Sequence, residues 1–188
     1  MKKHNLLCVV GRTGSGKDTL VDKLCKELRL NKVLSYTTRK QRNTDDNTHL
    51  FVDETMYEIH NVLDMIAAET IINNNRYWTV NGQLIYSDVY IIDPDGLENL
   101  KEKEISEKLN IITVYIKVPT DVRRKRVLSK RKDNKEEFIN RENSEFEQFD
   151  RMLRRESFDY CITNEDLNKS YEVLKKICKL ERIGVKKR

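Results

Sequence analysis

Gly11-Arg12-Thr13-Gly14-Ser15-Gly16-Lys17-Asp18-Thr19 is the stretch on which the reading of the whole chain turns. Three of the protein's six glycines fall within its first six residues, in a chain that has only two prolines. A chain so poor in glycine has no general need of loose backbone, so the cluster needs a local reason. The stretch fits G-x-x-x-x-G-K, the P-loop pattern. Backbone N–H groups can wrap polyphosphate only where no Cβ stands in the way. A helix starting at the end of such a loop presents its positive dipole end and unpaired N–H groups to the same anion. Lys17 adds a mobile point charge for the β and γ phosphates. Residues 11–19 are therefore the expected cradle for a nucleotide's phosphates. Asp18 stands where the pattern has a Ser or Thr hydroxyl for Mg²⁺, so Asp18 or Thr19 is the expected metal ligand.

The flanks agree with this reading. LLCVV at 6–10 is a continuous apolar run, as in a strand buried on both faces. Leu20, Val21, Leu24 and Leu28 then recur at helical spacing. Further strands are expected at 33–36, 89–92, 111–118 and 159–163. Helices are expected at 95–103 behind Pro94, at 120–131, at 135–155 and at 167–180. Alternating strands and helices imply an α/β fold with a five-stranded parallel sheet covered on both faces. Asp93 ends the run at 89–92. It reads as a second carboxylate near the metal, a role compatible with capping the helix at Pro94.

Residues 37–88 break the alternation. Short helices are expected at 53–59 and 62–68, then a hairpin of 69–72 and 76–80 around Asn73-Asn74-Asn75, and a turn at Asn81-Gly82. The block reads as a mixed α+β insertion.

Composition excludes other classes. No run approaches the roughly 20 apolar residues of a membrane helix, and the first apolar run is too short for a signal peptide. Apolar residues at 38% permit a core beside 36% charged residues. The four cysteines form no CxxC, and reduced thiols in a cytoplasmic protein are expected. The net charge of +5 suits anionic partners without choosing one.

After the second expected strand comes Ser35-Tyr36-Thr37-Thr38-Arg39-Lys40-Gln41-Arg42, followed by His49-Leu50-Phe51-Val52. With the P-loop, this resembles the guanylate kinase family, whose members carry Ser-x-Thr-Thr-Arg-x-Pro-Arg and an aromatic-rich Tyr-x-Phe-Val. The resemblance runs on through Glu69, Tyr77 and Thr79, through Asp93 and Gly96, and to Asn164. It implies a P-loop kinase that moves the γ-phosphoryl group of ATP to GMP or dGMP with Mg²⁺. It implies a core at 1–36, 89–125 and 145–188, a flap for the nucleoside monophosphate at 37–88, and a lid at about 126–144. Arg39 and Arg42 would clamp the acceptor phosphate through guanidinium forks, joined by His49 and Tyr77. Ser35, Glu69 and Thr79 would read guanine, and Asp93 would lie near metal and acceptor. Asn164 would contact adenine.

The chain departs from the family at Gln41, in place of proline, and at Trp78, in place of glycine. The stretch from Thr79 to Asp93 is short, as though a flap helix were missing. A deoxynucleoside monophosphate kinase of other or broader base specificity is the alternative, and an inactive binding module of the same fold is the reading from another class. Residues 123–132 hold seven positive charges in ten positions. The resemblance makes Arg126, Arg131 and Arg141 lid residues over ATP, with Arg131 and Arg141 stabilising the migrating phosphoryl group alongside Lys17. Arg123, Arg124 and Lys125 read as solvated surface. The expected partners are small nucleotides, with no nucleic acid and no membrane, in a monomer or homodimer.

Overall fold

A computed structural model describes residues 3–41, 44–72, 74–131 and 135–185. The chain begins with β1 (His4–Val10), α1 (Lys17–Leu28), β2 (Tyr36–Thr37), β3 (Leu50–Phe51) and α2 (Glu54–Val62). It continues with β4 (Ile66–Ile72), β5 (Asn75–Val80), α3 (Asn81–Ile85), β6 (Val89–Ile91) and α4 (Pro94–Glu102). The last elements are β7 (Leu109–Lys117), α5 (Thr120–Arg126), α6 (Lys135–Arg154), β8 (Tyr160–Thr163) and α7 (Leu167–Leu180). A 3-10 turn, Glu104–Lys108, precedes β7, and a π-helical turn, Val127–Arg131, follows α5.

One sheet is parallel, in the order β6-β1-β7-β8. Leu7 of β1 lies opposite Val89 and Ile112, and Val9 lies opposite Ile91 and Val114. Leu6 to Val10 are all fully buried, which the alternation of side chains along a strand explains. Leu6, Cys8 and Val10 join Leu97, Leu100, Phe149 and Met152 on one face, under α4 and α6. Leu7 and Val9 join Leu20, Leu24, Leu174 and Ile177 on the other, under α1 and α7. The loop after β1 therefore leaves the middle of a sheet layered on both sides.

The second sheet has the order β3-β2-β5-β4. The hairpin of β4 and β5 is antiparallel, and β2 pairs with β5 through Tyr36 opposite Trp78. Here Ile66, Trp78 and Val80 form a small separate apolar centre with Tyr36, Val52, Met56 and Tyr57. Trp78 donates from Nε1 to His60 Nδ1 at 3.0 Å, so the centre's one indole N–H is satisfied. At its base, Ala67 and Ala68 of β4 belong instead to the main core under α4.

Three expectations need correction. The parallel sheet has four strands, not five. Residues 33–36 form no strand of it: Lys32, just before them, makes an isolated bridge to Val89, and Val33 N donates to Val89 O. The chain then turns away, because the Tyr36 ring packs against Trp78 and His60 in the second sheet. The helix expected at 62–68 is replaced by the end of α2 and the start of β4, where Ile66 pairs with Val80. Asn81-Gly82 opens the short α3 instead of a turn. The bounds of α7 are as read. The four cysteines are free. Among the described residues no helix is long and apolar enough to cross a membrane.

Candidate functional site

The glycine loop joins β1 to α1. Gly14 and Gly16 have φ of 79° and 81°, a left-handed backbone that favours glycine. A Cβ at Gly14 would lie 2.8 Å from Arg123 O, and one at Gly16 2.8 Å from Asn164 Nδ2. Gly16 is the N-cap of α1 with no side-chain capping bond, which leaves first-turn N–H groups open to an anion. Lys17 stands at that end, 3.7 Å from the Asp18 carboxylate. Ser15 Oγ and Asn164 Oδ1 are buried beside the loop without a protein partner, polar atoms of the kind a ligand completes.

The loop is gripped from three sides. Thr13 donates from its N–H at 2.9 Å and from its hydroxyl at 2.5 Å to the Glu145 carboxylate on α6. The Thr13 carbonyl accepts from Arg123 Nη1 at 3.1 Å. Arg123 also donates to Glu142 at 2.5 Å, to Val118 O and to Thr120 Oγ1, and is 2% exposed. Its reading as surface is thus overturned: a buried guanidinium needs this full set of acceptors to offset lost hydration. On the far side, Asn164 Nδ2 donates to Ser15 O at 2.8 Å, and Arg126 donates to Asn164 O at 2.9 Å. Asn164 and Arg126 therefore brace the loop.

A cavity of about 820 Å³ opens between this loop and the second sheet. On the loop side it is lined by Gly11, Thr13, Lys17 and Asp18, and by Arg141 and Glu145 of α6. On the other side it is lined by Ser35, Arg39, His49, Glu69, Tyr77 and Asp93. Thr79 sits just behind Ser35, with their hydroxyl oxygens 3.1 Å apart. Arg39 donates to Asp46 at 3.0 Å and lies over the Phe51 ring. His49 Nδ1 lies 2.9 Å from Thr48 Oγ1, and its ring meets Tyr77 edge-on. Glu69 accepts from the Tyr57 hydroxyl at 2.7 Å, which fixes the carboxylate and, with burial, raises the Tyr57 pKa. Thr19 is exposed on α1, away from the cavity. Arg42 lies outside the described residues, as does the side chain of Arg131.

Asp93 does cap α4: its Oδ1 accepts from Gly96 N at 3.0 Å, and Pro94 opens the helix. Burial pushes its carboxyl up to about 6 from an ordinary 3.8, although the bond from Gly96 favours the ionised form. Among the described residues, no three His, Cys, Asp or Glu side chains converge as a metal site. Asp18 and Asp93 both line the cavity, and a pair of carboxylates suits Mg²⁺, which commonly takes one or two and completes its shell with substrate phosphates and water.

The residues missed by the sequence reading are Arg123, Glu142, Glu145, Tyr57, Tyr90 and Gln148. Glu145 and Gln148 follow Arg141 at i+4 and i+7, so one helical face carries all three into the cavity, and that spacing was the available signal. Tyr90 lay hidden in the apolar run VYII.

A glycine loop at the end of a central parallel strand, facing Arg39, His49 and Tyr77 of the second sheet's side across one cleft, defines a phosphate-handling α/β protein with two binding walls. Comparison with known proteins narrows this further. The guanylate kinase family model matches residues 3–181, and the chain belongs to that family. It is 31% identical to the guanylate kinase of Helicobacter pylori, over 93% of this chain and 86% of that one. It is 29% identical to the guanylate kinase of Campylobacter jejuni, over 92% and 86%. The solved guanylate kinase of Anaplasma phagocytophilum superposes with a TM-score of 0.67 at 20% identity, covering 98% of this chain and 89% of that one, which supports the fold.

Proposed function

We propose that the protein transfers the γ-phosphoryl group of ATP to GMP, giving ADP and GDP. The carrying observation is the single cavity with Lys17 and the open N-terminus of α1 on one wall and Arg39, His49, Glu69 and Tyr77 on the other. Family membership supports the same reaction. Two phosphate-binding walls across one cleft hold donor and acceptor in line, and phosphoryl transfer needs little else beyond charge.

In this reading, residues 11–19 bind the ATP phosphates, and Lys17 with Arg141 and Arg131 stabilises the charge on the migrating group. Arg39 and Arg42, with His49 and Tyr77, hold the acceptor phosphate. Glu69 accepts from N1–H and the 2-amino group of guanine, a donor pair that adenine lacks. Asp18 and Asp93 are the carboxylates placed to hold Mg²⁺, which would neutralise phosphate charge when bound. Residues 37–88 act as the acceptor flap and 126–144 as the lid. Asn164, whose side-chain amide N–H donates to Ser15 O, stands beside the loop on the adenine side in this reading. Free thiols suit a cytoplasmic setting.

The test is a coupled ADP-release assay over GMP, dGMP, AMP, UMP, CMP and dTMP. Turnover with GMP far above ATP hydrolysis is expected, and excess chelator should abolish it. No ADP above hydrolysis with any acceptor overturns the kinase reading. Turnover with another acceptor and none with GMP overturns the base assignment alone.

A further inference from the structure

Asp46 lies in the loop between β2 and β3, and its carboxylate gathers side chains from the second wall of the cavity. Arg39 Nη2 donates to Oδ2 at 3.0 Å, and Thr48 Oγ1 donates to Oδ1 at 2.6 Å. Behind Thr48 stands His49, whose Nδ1 is 2.9 Å from the same hydroxyl. The Gln41 amide donates to the Asp46 carbonyl at 2.8 Å and closes the loop from within. Gln41 is the residue that stands where the family has proline. Arg39, Thr48 and His49 line the cavity, whereas Asp46, 9% exposed, is not among its lining residues.

Arg39 is fixed at both ends. Its backbone N–H donates to Thr37 Oγ1 at 3.1 Å, and Thr37 is fully buried in β2. Its guanidinium lies 5.0 Å from the centre of the Phe51 ring and donates through Nη1 to Lys40 O at 2.9 Å. Among the described residues, two of its five N–H groups are thus engaged, and three are left for a phosphate. A long side chain that is already held loses less freedom when its ligand arrives. Asp46 also sets a negative charge beside a phosphate site, and on charge alone it repels that ligand. Holding and repelling act with opposite sign on the same affinity.

We infer that Asp46 is a positioning residue for the acceptor phosphate: it holds Arg39 directly and His49 through Thr48, and this gain exceeds its own repulsion. Gln41 restrains the loop through a side-chain bond, at the place where a proline would restrain it through its ring. The inference rests on the reading of Arg39 as the acceptor clamp and deepens it.

The experiment is calorimetric titration of GMP and, separately, of ATP into the wild type, Asp46→Asn, Gln41→Ala, Arg39→Ala and the double variant of Asp46→Asn with Arg39→Ala. Asp46→Asn keeps the shape and removes the charge. It should bind GMP about two- to tenfold more weakly, the scale of one long side chain set free, and bind ATP as before. Gln41 is exposed, so Gln41→Ala spares the fold and leaves the Asp46 charge in place. It should weaken GMP in the same direction and also spare ATP. In the Arg39→Ala background, Asp46→Asn should weaken GMP by a smaller factor or strengthen it. Tighter GMP binding by Asp46→Asn overturns the inference, since repulsion would then be the larger effect. Equal losses for ATP and GMP in both single variants overturn it as well, because the role would be structural. An undiminished factor in the Arg39→Ala background does the same, since Asp46 would then act without its partner. Arg39→Ala binding GMP as tightly as wild type overturns the clamp reading and this inference together. A weakened Arg39→Ala beside Asp46→Asn and Gln41→Ala variants that bind GMP like wild type overturns the inference alone.

Discussion

Arg123→Met keeps an unbranched stem and deletes the guanidinium. In the folded protein that group donates to Val118 O at 3.2 Å, Thr13 O at 3.1 Å, Thr120 Oγ1 at 2.9 Å and Glu142 at 2.5 Å. Removing one partner of a buried ion pair costs about 3–5 kcal/mol. The Glu142 side chain is 18% exposed and lies 4.0 Å from Arg12, so it is not left stranded, and the low end of that range, about 3 kcal/mol, applies. In a chain of this length each kcal/mol moves the melting temperature by about 2–4 °C. Arg123→Met should therefore melt about 6–12 °C below wild type in scanning calorimetry. It should also bind ATP more weakly, because the Thr13 carbonyl loses its donor. The exposed neighbour is the control: Arg124→Met should stay within about 0.5 kcal/mol of wild type. Arg123→Met with Glu142→Leu should recover part of the loss, since no carboxylate then faces an empty place. The reasoning is refuted if Arg123→Met and Arg124→Met melt together, or if the double variant melts lower than the single by the full cost of Glu142→Leu alone.

Asp93 gives a pH prediction. Its folded pKa, about 6, exceeds the unfolded value, so the native state holds the extra proton between about pH 4 and 6, and stability falls as pH rises through that window. Asp93→Asn removes the contribution: the stability of wild type relative to the variant should decline from pH 4.5 to 6.5 in urea titrations and then level off, whereas a constant difference removes Asp93 as the buried acid. Gly16→Ala should weaken ATP binding at least tenfold and spare GMP, because its Cβ meets Asn164 Nδ2 at 2.8 Å with φ at +81°; unchanged calorimetric affinity for ATP would mean that the loop is not the cradle. Arg39→Ala should raise the acceptor KM at least tenfold and lower kcat in the coupled assay, and an unaffected enzyme would show that the clamp lies elsewhere.

What could be read ahead was local. LLCVV, the glycine loop and α1 are specified by neighbours in sequence, and their strand-loop-helix order needs no distant partner. The bounds of α7 follow from its own apolar stripe. Distant partners decided what was misread. Residues 33–36 look like a sheet strand, but the destination of Tyr36 is set by Trp78 and His60, far along the chain. Val62, Met65 and Ile66 have helical spacing, yet Ile66 pairs with Val80, and Ala67 and Ala68 fill the main core. Arg123 stands among four consecutive basic residues and looked solvated. Its acceptors Thr13 and Glu142 come from either side of it in the chain and are brought to it only by the fold. Ser35, Arg39, His49, Glu69 and Tyr77, proposed for the acceptor, were legible from the family resemblance, and they do share one cavity. The Tyr90 phenol was hidden because one hydroxyl inside an apolar strand gives no periodic signal.

The small apolar centre of Trp78, Ile66 and Val80 is separate from the layers around the parallel sheet. Contiguous units of this kind open in amide exchange with free energies of their own, below that of global unfolding. The amides of Tyr36, Thr37 and Trp78 should thus exchange sooner than those of Leu7 and Val9, whose strand is covered on both faces by the main core. An acceptor nucleotide held against this sheet, as proposed, must suppress that opening, by an amount that grows as RT ln(1 + [L]/Kd). Exchange at β2 and β5 then becomes an internal gauge of occupancy, readable without any turnover.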